Sequence, residues 1–231
     1  KSLITLLLIS DQLQAKETKL LILCDSLSAA YGLKQEQGWV SLLQDAWQSE
    51  NINIVNAAIS GETTDGALAR LPRLLEQHKP THIFIELGGN DGLQGHPVSK
   101  MRNNLDKIIQ LSQSNEVKVI LQQMQIPTNY GKRYTQMFTT SYAQLAAKHA
   151  VIMLPFFLET IALDKSLMQR DGIHPNAEAQ IIIARDMQAC RDATTNKEEK
   201  EDKNAPSTHT TKTKTTETTN KRTRRKRGRR G

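Results

Sequence analysis

Five short runs of this chain, at 20–24, 52–56, 82–87, 117–122 and 151–154, are largely apolar. Several are apolar throughout rather than alternating, the pattern of strands covered on both faces. Between them lie stretches with helical spacing at 39–49, 66–77, 99–112 and 134–149, and a last one at 176–190. Leu71, Leu74 and Leu75 share one helical face, and so do Leu105, Ile108 and Ile109. Strand and helix alternating at this rhythm predict an α/β fold, a five-stranded parallel sheet with helices on both faces. Aromatic residues are 4% of the chain, so its core must be mainly aliphatic. In such a sheet ligands bind beyond the carboxyl ends of the strands.

Four segments that follow strand ends carry residues suited to chemistry. The segments are Cys24-Asp-Ser-Leu27, Ser60-Gly-Glu62, Gly88-Gly-Asn-Asp91 and Asp171-Gly-Ile-His174. Together they supply what acyl transfer needs. A serine hydroxyl such as that of Ser26 is a poor nucleophile until a base takes its proton. The imidazole of His174 suits that task near neutral pH. Asp171, three residues earlier, can reach the imidazole within one turn and hold its tautomer. Ser26 is expected where a helix begins, its own N–H facing a developing oxyanion. Gly61 has no side chain to block its N–H, and Asn90 carries an amide NH₂ as a further donor.

Each segment also has an ordinary reading. Serine after a strand is commonly a cap, Gly61 a turn glycine, Asn90-Asp91 a turn and Asp171 a helix-entry cap. Their occurrence together carries the argument. His78 and His82 are four apart, but Pro80 breaks helical geometry between them, so no metal site and no cofactor are expected.

The two ends differ from the middle. Residues 191–231 hold 14 Lys/Arg against 6 Asp/Glu, and the other 190 hold 17 against 18, so the net +7 resides in the tail. The nearly neutral remainder gives no argument for specific nucleic-acid binding. The Thr/Lys/Arg-rich tail is expected to be disordered, and its end at 221–231 to bind polyanions non-specifically or to be merely solvated. Lys1 followed by an apolar core, with Leu13-Gln-Ala15 as a cleavage site, reads as a trimmed secretory signal peptide. The other reading is a first core element. The run is too short to span a bilayer. The expected division is therefore 1–18 signal remnant and linker, 19–190 catalytic domain, 191–231 tail, in a periplasmic or secreted protein. Cys24 and Cys190 form no disulfide framework. If Ser26 and His174 meet, about 24 Å of helix separates Cys190 from the site, too far for a bond to Cys24.

The blocks Leu20-Leu-Ile-Leu-Cys-Asp-Ser-Leu-Ser-Ala29, Asn56-Ala-Ala-Ile-Ser-Gly61, Leu68-Ala-Arg-Leu-Pro72, Glu86-Leu-Gly-Gly-Asn-Asp-Gly-Leu93, Ile126-Pro-Thr-Asn-Tyr-Gly131 and Asp171-Gly-Ile-His-Pro-Asn176 resemble the SGNH or GDSL hydrolase family. Within that family they look like the bacterial periplasmic thioesterase I, lysophospholipase L1 and arylesterase enzymes. The resemblance runs from about residue 20 to 188. It implies a flavodoxin-like three-layer α/β/α sandwich, with Ser26 as nucleophile, His174 as base and Asp171 as its orienter. Ser26 N–H, Gly61 N–H and Asn90 would form the oxyanion hole. It further implies broad activity on acyl thioesters, lysophospholipids and short esters, with residues 92–99 and 125–130 lining the acyl site; separately, a monomer is expected.

The family's Gly-Asp-Ser is Cys24-Asp25-Ser26 here. If that position needs positive φ, cysteine is strained; if it is regular strand, Cys24 is a small buried hydrophobe, and the strand reading is preferred. Ala30 replaces a family glycine at a position expected to lie harmlessly within a helix. Two other readings keep the fold: a short-chain or carbohydrate acetyl esterase, and a member without turnover retained as a binding protein.

Overall fold

The computed structural model describes residues 17–204, and of 193–204 only the helical backbone. The signal-peptide reading and the basic end of the tail lie outside the described residues. Five strands form one sheet: β1 Thr18–Cys24, β2 Ile52–Asn56, β3 His82–Glu86, β4 Lys118–Gln122 and β5 Ile152–Leu154. Every pair is parallel and the order is β2-β1-β3-β4-β5. Leu21, Ile22 and Leu23 on β1 and Ile83, Phe84 and Ile85 on β3 are all buried, consecutive residues facing both sides. That is why these strands read as continuous apolar runs. Each such side chain stabilises the fold by about 1.5–3 kcal/mol relative to exposure.

Six α-helices connect and cover the strands: α1 Trp39–Ala46, α2 Thr64–His78, α3 Gly89–Leu93, α4 Val98–Ser114, α5 Lys132–His149 and α6 Ala177–Asn204. Helix α4 packs against both α2 and α5. Helices α1 and α6 meet through the Trp39 N–H, which donates to Gln180 Oε1 at 2.9 Å. The described residues as far as Ala193 belong to one compact unit, and those from Thr194 to a second. Helix α6 continues past Cys190 to Asn204. Helix α3 was not anticipated; Gly88-Gly-Asn-Asp91 reads as a turn, yet its Gly92 N–H reaches back to the Gly88 carbonyl.

The order places the first crossover on one side of β1 and the rest on the other. The direction of winding therefore reverses at β1, and a crevice opens at the carboxyl ends of β1 and β3. Ser26 follows the first of these strands and Asn90 the second.

Candidate active site

The β1 end explains how Ser26 is presented. Cys24 is regular strand, in register with Glu86, fully buried, with its Sγ 3.8 Å from the Phe84 carbonyl oxygen. It carries no positive φ, so the missing family glycine does not strain the nucleophile turn here. Burial raises the Cys24 thiol well above its ordinary value, with Glu86 adding to the effect, and keeps it from the cleft as an inert thiol. No helix begins at Ser26, contrary to expectation. Residues 26–32 form successive turns, with the Ser28 N–H donating to the Asp25 carbonyl and the Ala29 N–H to the Ser26 carbonyl, both at 3.3 Å. Ala30 then stands at φ +54°, which ends any helical run. The substitution that matters for strain is thus Ala30, not Cys24.

Ser26 Oγ lies 2.8 Å from His174 Nε2, and His174 Nδ1 lies 2.7 Å from Asp171 Oδ2. The second oxygen of Asp171 accepts the backbone N–H groups of Ile173 at 2.9 Å and His174 at 3.0 Å. Partial burial opposes ionisation of Asp171, but these donors and the imidazole outweigh it and bring the carboxyl down to about 2. The loop is closed by the Gln169 N–H donating to the His174 carbonyl, and by Asn176, whose Oδ1 caps α6 at Ala179. Tyr31 packs on the imidazole, ring centroids 4.2 Å apart.

Across the crevice, Asn90 Nδ2 donates to Asp25 Oδ2 at 3.1 Å and to the Glu62 carbonyl at 2.9 Å. That second bond ties α3 to the loop carrying Gly61, which stands at φ +78° with open space beside it. Asp91 strengthens the tie by accepting from Thr64 N–H at 2.9 Å and Thr64 Oγ at 2.6 Å. Gly88 makes the strand-to-helix bend at φ +108°, where a Cβ would run into the Tyr142 hydroxyl.

Ser26, Gly61, Asn90 and His174 all line one cleft of about 510 Å³. Its remaining wall is largely apolar. Leu93, Ile126 and Pro127 come from the two segments expected to line it, although of 92–99 only Leu93 does so. Phe156, Leu158 and Met168 were missed. For Phe156 and Leu158 the signal was present: apolar residues directly beyond the fifth strand, at the same sheet edge as the other segments. Among the described residues no group of His, Cys, Asp or Glu could hold a metal ion, and no helix is long and apolar enough to cross a membrane.

Residues 23–180 match the family described as GDSL-like Lipase/Acylhydrolase. The chain is 45% identical to an arylesterase from Vibrio mimicus over 79% of its length and 92% of the relative's. It is equally identical to thioesterase 1/protease 1/lysophospholipase L1 from Escherichia coli K12, over 78% and 85%. The crystal structure of the psychrotrophic esterase EstA from Pseudoalteromonas, inhibited by monoethylphosphonate, superposes with a TM-score of 0.75 at 48% identity, covering 78% of this chain and 99% of that one. On sequence and on fold alike, the chain belongs to the GDSL-like lipase/acylhydrolase family, hydrolases that act on ester bonds.

Proposed function

We propose that this chain hydrolyses acyl esters and thioesters, lysophospholipids among them, through an acyl-Ser26 intermediate. The observation that carries the reading is the hydrogen-bonded series Ser26–His174–Asp171 at the wall of an apolar cleft. His174 Nε2 takes the Ser26 proton as Oγ attacks the acyl carbon. Asp171 holds the Nδ1–H and stabilises the imidazolium that forms. The N–H groups of Ser26 and Gly61 and the Asn90 amide meet the oxyanion, Asn90 exchanging one of its present acceptors for it. The intermediate collapses as His174 returns the proton to the departing alcohol or thiol. Water, deprotonated by His174, then attacks the acyl-enzyme, and Ser26 regains its proton as the acid leaves.

The apolar walls favour a fatty acyl chain over a carbohydrate acetyl ester, since each buried CH₂ contributes about 0.8 kcal/mol. The relatives' names, an arylesterase and a thioesterase/lysophospholipase, agree with this breadth. The apolar run behind Lys1 supports a periplasmic or secreted location. The test is covalent labelling: a fluorophosphonate adds one phosphonyl group, located by peptide mass at Ser26, and loss of turnover follows the label. An intact, unlabelled protein at saturating reagent contradicts the reading.

A further inference from the structure

Beneath the nucleophile turn lie two carboxyl groups that the mechanism above does not use. Glu86, the last residue of β3, is fully buried, and Asp25, directly before the nucleophile, is 3% exposed. Strand register makes them neighbours, Glu86 opposite Cys24 and Asp25 the next residue along, and each perturbs the other's ionisation. Among the described residues neither makes an ion pair with a lysine or arginine. Two facing carboxylates without a cation cannot both stay ionised in such a site; one must keep a proton between them. The partners say which. Asp25 Oδ1 accepts from Leu27 N–H at 3.0 Å and Asp25 Oδ2 from Asn90 Nδ2 at 3.1 Å, so Asp25 already acts as an acceptor. Glu86 Oε2 accepts from Ser28 Oγ at 3.0 Å, while Oε1 finds no donor. An acceptor without a donor at full burial is costly; an O–H directed at Asp25 is not.

Building on the acyl-Ser26 reading, we propose that Glu86 is a positioning residue that keeps its proton, donates it to Asp25, and so fixes Asp25 as the acceptor that aims the Asn90 amide at the oxyanion. Gly89 leaves Asp25 the necessary room, since a Cβ there would sit 3.3 Å from Asp25 Oδ2. The other titratable groups facing the pair fit a single shared negative charge. Asp91 on α3 and the buried Cys24 disfavour a second charge, Tyr142 on α5 is held as a neutral hydroxyl donating to the Leu87 carbonyl, and His174 favours the one charge on Asp25. Burial above all raises both carboxyls, Asp25 to about 6 and Glu86 well above its ordinary value.

The experiment compares Glu86→Gln, which keeps an N–H donor for Asp25 and an acceptor for Ser28, with Glu86→Met, which keeps the length and loses both. On a p-nitrophenyl acyl ester, Gln is expected within threefold of the wild-type kcat. Met is expected to lose kcat by about 10- to 100-fold with KM within twofold, less than removal of an oxyanion donor outright. Equal losses in both variants, or a Met variant within threefold of wild type, overturn the proposal. Infrared spectroscopy supplies a readout independent of turnover and of whether Met folds. At neutral pH the wild type should show a protonated-carboxyl C=O band that is absent from Glu86→Gln, and a wild type without that band overturns the proposal. Inactive wild type carrying the band would instead count against the acyl-Ser26 reading alone.

Discussion

The ring of Tyr31 lies over the imidazole of His174, centroids 4.2 Å apart and planes inclined by 31°. Tyr31 is carried by the same turns as Ser26, and its carbonyl is held by Gln169 Nε2 at 2.7 Å, so nucleophile and base share one support. Removing the ring frees the imidazole to tilt away from Ser26. Tyr31→Ala is expected to lower kcat by about 5- to 20-fold, in the range of a misplaced general base, while Tyr31→Phe stays within twofold. Steady-state kinetics on one short ester checks both.

Backbone strain makes a separate prediction. Ala30 at φ +54° and Ala150, the C-cap of α5 at φ +51°, occupy the left-handed region that glycine enters freely. Ala150 is exposed, so Ala150→Gly relieves strain without opening a cavity. It should stabilise the fold by about 1 kcal/mol, read as a higher denaturation midpoint. Ala30→Gly should gain less, because a buried methyl is lost as the strain is relieved. Neither should change kcat by more than twofold.

The buried carboxyl pair predicts a pH dependence with a definite sign. Asp25 titrates at about 6 in the fold against an ordinary 3.8, and Glu86 is raised as well. Between those values the folded protein holds protons that the unfolded chain has released. The pair's contribution is therefore fully present below about pH 4 and lost as the pH rises through about 6, on the order of 1–3 kcal/mol. Asp171 acts oppositely, its contribution present above the ordinary carboxyl value and lost as the pH falls toward 2. Urea denaturation from pH 4 to 7 should show a downward slope in the wild type that is shallower in Glu86→Gln. Parallel slopes would refute this.

The apolar wall predicts selectivity. Met168 lines the cleft beside His174, and a charge there would have to be desolvated by a bound acyl chain. Met168→Glu is expected to lower kcat/KM for a dodecanoyl ester by 10-fold or more, while the acetyl ester stays within threefold. Rates across a chain-length series test this.

Much of this was legible in the residues because strands buried on both faces read as unbroken apolar runs. The β2 bounds were anticipated to the residue, and the other strands began or ended within two residues of expectation. The placement of Ser26, Gly61, Asn90 and His174 around one cleft, with Asp171 behind His174, followed from a rule about sheet edges, not from local propensity. What escaped was conformational or non-local. Ala30 looks harmless inside a helix, and only its positive φ shows that no helix is there. Glu86 reads as the end of an apolar run; its pairing with Asp25 depends on the register between β1 and β3. Tyr31 and Met168 reach the site through loops whose course no periodicity encodes.

Everything above turns on Ser26, activated by His174, cleaving acyl esters in this cleft. The most direct measurement is the initial rate of hydrolysis across p-nitrophenyl esters from acetyl to palmitoyl, wild type beside Ser26→Ala. Turnover should rise with chain length beyond acetyl and fall by at least about 10³-fold in the variant. Wild-type turnover that persists undiminished in Ser26→Ala, or no wild-type turnover on any ester, would contradict that role of Ser26.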